Sequence, residues 1–166
     1  MGNFRILKKS LVMSTRVRKR FILAVLFYCI LSWWVAFTIQ LGDTFLVTLG
    51  IIGGLIIATV YGFIISQFRR GQIATLKCIG WGNSNILILL IGEILFVSLL
   101  GYVLTLEIDI HILGISTYLE DILLQFVFSG QALGVALLVV ILAQIPGIII
   151  AYWRTLKVRP IVALKA

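Results

Sequence analysis

Glu93 is the residue whose type and position carry the most chemical consequence, because it places a carboxylate inside a long apolar run. In hydrocarbon a charged side chain costs about 2.5–3.5 kcal/mol at the centre of a helix, so Glu93 must face protein or water, or hold a proton. A carboxylate that exchanges charge for a proton in such a place could serve proton-coupled transport. Other chemistry-bearing residues are sparse. Glu107, Asp109 and His111 alternate with isoleucines and could be drawn as metal ligands, but single alternating charges in a loop are ordinarily solvated, and no metal is expected there. His111 is the only histidine, and neither a carboxylate pair nor a Ser/His/Asp or Cys/His arrangement is placed for catalysis, so no catalytic residue is assigned. The chain has no GxxxxGK[ST] phosphate loop, and no cofactor is expected on it. Cys29 falls in an apolar run and Cys78 in a polar segment, which implies no disulfide framework.

The elements that must position these residues are set by composition. Of the 166 residues, 61% are hydrophobic and 12% charged, outside the soluble globular range. Four apolar runs approach or exceed the roughly 20 residues that cross a hydrocarbon core as a helix. They lack the alternating polarity of barrel strands, so the fold class is an all-α membrane protein. The spans are expected at residues 21–41, 45–68, 86–106 and 131–153. The run following Arg20 is too long for the apolar part of a signal peptide, so it is expected to remain as an anchor.

The net charge of +8 is distributed by side rather than spread evenly, which argues for membrane topology and against nucleic acid as a partner. All 14 basic residues precede the first run, lie between the second and third, or follow the fourth. Asp43 lies between runs one and two, and Glu107, Asp109, Glu120 and Asp121 between runs three and four, leaving Glu93 as the only acid within a run. The positive-inside rule then places both termini and the 69–85 segment in the cytoplasm.

Several local signals refine the elements. Residues 1–20 form a basic segment in which Phe4, Leu7, Leu11 and Val12 can share a helical face, read either as an interfacial helix in contact with lipid or as a basic flank that orients the first span. Trp33 and Trp34 are placed as an interfacial pair, and Gly42, Asp43 and Thr44 allow only a tight hairpin. Gly50, Gly54, Ala58, Gly62 and Ser66 recur at every fourth position, a spacing that lets backbones approach, against a helix of the same chain or of another subunit. Gly130 and Gly134 repeat the pattern at the start of the fourth span. A short amphipathic helix is expected at 71–79, ending at Gly80, with Asn83 or Ser84 capping the third span. Tyr28, Tyr61 and Gln144 fall at depths comparable to Glu93 when counted from the cytoplasmic ends, which predicts a polar layer around it. The 107–130 segment is expected outside, beginning extended, with 118–128 amphipathic and either lying on the outer leaflet or extending the fourth span. Pro146 and Gly147 predict a kink.

The basic segment and its flanks carry a resemblance. Arg69, Arg70, Ile73, Ala74, Leu76, Lys77 and Gly80, then Ile86 and Glu93, stand at the spacing of the permease domain of the FtsX-like family of ABC transporters, which includes MacB-type permeases. Gly101 falls where that family has a glycine, and Pro160, Ala163, Leu164 and Lys165 resemble its terminal motif. Gln72 and Val162 stand where the family usually has glutamate, and members generally insert a large extracytoplasmic domain after the first span, where this chain has only residues 42–44. The resemblance implies a cell-membrane permease subunit that is not itself an enzyme. Its 71–79 segment would be a coupling helix for a separate ATPase binding ATP and Mg, with Arg69, Arg70, Gln72, Ile73, Leu76, Lys77 and Gly80 as the coupling residues. It also implies a second permease, identical or different, and leaves room for a separate extracytoplasmic subunit. Such a complex would couple ATP hydrolysis to export, extraction or mechanotransmission. The alternatives are a small four-span proton-coupled secondary transporter using Glu93, or a structural membrane subunit that does not transport.

Overall fold

The computed structural model describes residues 6, 8, 10–12, 15, 18–68, 70–116 and 127–156. Among them all regular structure is helical: α1 (Arg18–Leu41), α2 (Thr44–Phe68), α3 (Arg70–Cys78), α4 (Asn83–Ser116) and α5 (Gly130–Leu156). The described residues between 6 and 15 are helical as well. α1, α2, α4 and α5 are long and apolar enough to cross a membrane, and with α3 they make the all-helical four-span architecture. The terminal tail, including Pro160, Val162, Ala163, Leu164 and Lys165, lies outside the described residues, as do Phe4, Leu7, Arg69 and the side chains of Ser66 and Arg70.

Backbone chemistry at the turns explains the element order. Gly42 takes φ +69° and donates to the Ile39 carbonyl at 3.1 Å, ending α1 in the left-handed conformation that glycine tolerates. Asp43 then caps α2, its Oδ1 accepting the Phe45 amide at 2.9 Å. At the far end of α2, Gly80 at φ +88° closes α3. The amides of Gly80 and Trp81 return to the carbonyls of Lys77 and Leu76, both at 3.0 Å. Gly82, rather than Asn83 or Ser84, occupies the cap position of α4, because its carbonyl accepts the Ile86 amide at 3.2 Å.

In the bundle α2 packs chiefly on α5 and α1 chiefly on α4, while α1 also meets α2 and α5. Lipid offers no hydrophobic reward for joining helices, so close backbone approach must supply the cohesion. A Cβ at Gly101 would meet Tyr28 Cβ at 2.6 Å and the Cys29 nitrogen and Val25 carbonyl oxygen at 2.9 Å. One turn on, the Thr105 hydroxyl lies 3.2 Å from the Cys29 carbonyl oxygen and hydrogen-bonds the buried Ser32 hydroxyl. On the other side of the bundle a Cβ at Gly62 would come within 3.2 Å of the Gly147 Cα. α5 continues as helix through Pro146, and Gly147 lies against the Ala58 and Thr59 backbone.

Residues 107–116 are not extended: α4 runs on to Ser116 as one 34-residue helix. The isoleucines of this stretch include exposed Ile108 and Ile110, and helix satisfies every backbone group where an unpaired strand would not. Asp109 is thereby turned inward rather than solvated. It is 7% exposed, and its Oδ1 accepts the Phe128 amide at 2.8 Å. Gln40 Oε1 accepts the next amide, from Ser129, at 3.1 Å, and Phe128 meets Trp33 edge-on. The chain's return into α5 is therefore pinned to both α1 and α4.

Gly101→Val is expected to cost about 1–3 kcal/mol by overpacking the α1–α4 contact, because the atoms it would strike include backbone. Gly53→Val, at a glycine with open space around it, is the matched control. Thermal unfolding in detergent, followed by helical signal, distinguishes the two variants.

Candidate functional site

The short helix α3 is amphipathic, and its two faces have different fates. Ile73, Ala74 and Leu76 are buried, whereas Gly71, Gln72, Thr75, Cys78 and Ile79 are exposed. Ile73 packs with Ile86 and Leu90 of α4, and Leu76 with Leu89 of α4 and Ile6 of the N-terminal segment. Trp81, at the turn, packs against both groups. The apolar side of α3 is thus taken up within the chain, against α4 and Ile6. What α3 presents outward is Gln72, Thr75 and Ile79, spaced three and four residues apart on one face.

Among its described residues the N-terminal segment contributes Ile6, which is not one of those its periodicity selects. Ile6 and Ser10 are buried, Leu11 is half-buried and Val12 is exposed. Ile6 completes the seat of α3, a role for which the sequence carries no signal beyond one isoleucine among basic residues.

Tyr28, Gln144 and Glu93 are all buried within the bundle. Tyr28 is fully buried, and its ring meets that of Tyr61 edge-on, with centroids 5.1 Å apart. Tyr61 in turn stacks on Phe27 at 4.5 Å. Ala143, adjacent to the buried Gln144, shares the Tyr28 cluster with Val140 and Val97. Glu93 is also buried, one turn before Val97 of the Tyr28 cluster, and two turns before Gly101, which meets the Tyr28 Cβ. Leu89 and Leu90, one turn before Glu93, are part of the α3 seat. The buried carboxylate therefore lies along α4 between the α3 seat and Val97 of the Tyr28 cluster. Among the described residues Tyr28 Oη and both amide atoms of Gln144 have no hydrogen-bond partner.

The glycine stripe of α2 faces its own bundle. Gly50 lies against Thr38, Gly54 against Val35, and Ala58 and Gly62 against Gly147 of α5. Gly130 and Gly134, in contrast, are exposed with no neighbouring atom. At the opposite end from α3, His111 Nδ1 lies 2.7 Å from the Glu107 carbonyl oxygen and 3.9 Å from its carboxylate. No group of three metal-ligating side chains occurs among the described residues.

Gln144→Leu is expected to raise the thermal midpoint, since it removes an unmatched buried amide worth about 1–3 kcal/mol. A fall in the midpoint would show that the amide finds partners in the membrane.

Residues 44–160 match the family model described as FtsX-like permease C-terminal. Comparisons with curated proteins and with solved structures return no match.

Proposed function

Because the chain belongs to the FtsX-like permease family, a family of membrane transporter components, we propose that it is the permease subunit of an ABC transporter and that a separate ATPase docks on the outward face of α3. The observation that supports this reading is the division of α3 into a buried and an open face. A helix that only closed the bundle would need no second face held at the membrane edge. Here Ile73 and Leu76 fix α3 to α4 while Gln72, Thr75, Cys78 and Ile79 stay exposed. Force applied to such a helix reaches the bundle through the α4 seat, one turn from the buried Glu93. ATP and Mg would bind to the partner chain.

In this reading α3 and both termini lie on the cytoplasmic side, which the distribution of basic residues supports through the positive-inside rule. The family reading also includes a second permease copy or homologue and location in the cell membrane. The α1–α2 connection, Gly42 and Asp43, is too short to hold an external domain, so work on the far side would fall to the ends of α1, α4 and α5 or to another subunit.

The test is co-purification with the ATPase of the native complex. Ile79→Asp and Thr75→Arg are expected to abolish association while leaving helical content and thermal midpoint unchanged. Leu76→Asp is expected to lower the midpoint as well, because its side chain sits in the seat. If the outward-face variants still hold the ATPase, the docking assignment is wrong. Exposed Cys78 should react with an impermeant maleimide in inverted vesicles only, and buried Cys29 in neither orientation. Labelling of Cys78 in right-side-out vesicles would reverse the topology.

A further inference from the structure

A groove of about 420 Å³ runs along the outer surface of the α1–α4 pair, lined by Phe21, Val25, Leu26, Leu100, Val103 and, at one end, Glu107. Its walls are otherwise apolar, and the lining side chains of Ile22, Leu26 and Val103 are exposed on the surface of the bundle. The volume falls within the range of sites that hold one small ligand, roughly 300–1,000 Å³.

The shape follows from the helix register. α1 and α4 run parallel, since Tyr28 lies against Gly101 and Ser32 hydrogen-bonds Thr105. Phe21 precedes Tyr28 by seven residues and Glu107 follows Gly101 by six, so the groove extends about 20 Å along the pair. Its single charge lies at the end away from α3. The Glu107 side chain is 63% exposed, so it can meet a ligand without first being desolvated.

We propose that this groove binds one acyl chain of a phospholipid from the leaflet at the Glu107 end, with the lipid's primary ammonium group on the Glu107 carboxylate. The chain replaces water or loosely ordered lipid along the apolar wall, and the carboxylate selects the headgroup. An anionic lipid lacking an amine fits the same wall but meets repulsion at Glu107. This goes beyond transporter coupling and does not depend on an ATPase.

The test uses the full chain reconstituted in nanodiscs containing equal amounts of phosphatidylethanolamine and phosphatidylglycerol, with retained lipid identified by native mass spectrometry after extraction. The wild type is expected to retain phosphatidylethanolamine over phosphatidylglycerol by roughly three- to fivefold, the scale of a single exposed ion pair. Glu107→Gln should remove the preference while keeping a bound lipid, and Val103→Trp should fill the groove and remove one retained lipid of either class. Both positions are exposed, so helical content should be unchanged. Equal retention of the two lipids by the wild type, or an unchanged preference in Glu107→Gln, overturns the headgroup assignment. Protein dimers that shield the groove, with no lipid lost in Val103→Trp, overturn the lipid site itself.

Discussion

At Gly101 the backbone of α4 comes so close to Val25, Tyr28 and Cys29 that only a hydrogen fits between them, and this contact fixes the register of α1 against α4. In a membrane, helices gain little by hiding apolar side chains from one another, so packing of this closeness and hydrogen bonds such as Ser32–Thr105 must provide the cohesion. The register then decides what lies at each depth. It leaves the first turns of α4 beyond the start of α1, where they receive α3 and Ile6. It also brings Asp109 level with the outer part of α1, where it can hold the Phe128 amide.

The second glycine crossing, Gly62 against Gly147, does the same for α2 and α5. Together the two crossings join both helices that flank α3 to the rest of the bundle. α3 is tied covalently to α2 and α4 and seated on α4 by Ile73 and Leu76. It closes in a glycine cap that satisfies its last carbonyls. A rigidly seated helix with one open face suits the transfer of movement between a soluble partner and membrane spans. A loop at the same place would dissipate that movement in its own flexibility.

The polar interior has a different character. Tyr28 and Gln144 lie in a packed region where unmatched polar atoms are costly. Glu93 lies along α4 between the α3 seat and Val97 of the Tyr28 cluster.

The sequence by itself determined the class of the protein, the four spans, the charge asymmetry between the two sides, and the short helix with its Gly80 stop. These depend on composition, run length and glycine backbone freedom, which are local properties. The motif spacing from Arg69 to Glu93 likewise pointed to the family. Only the tertiary structure decided which face of α3 stays open, because burial of Ile73 and Leu76 depends on how far α4 extends past α1. It alone turned Asp109 inward and assigned the α2 glycines to partners within the chain. Each of these is a matter of register between helices distant in sequence. Register is set by a few close contacts such as Gly101 on Tyr28, which no periodicity within a single helix encodes.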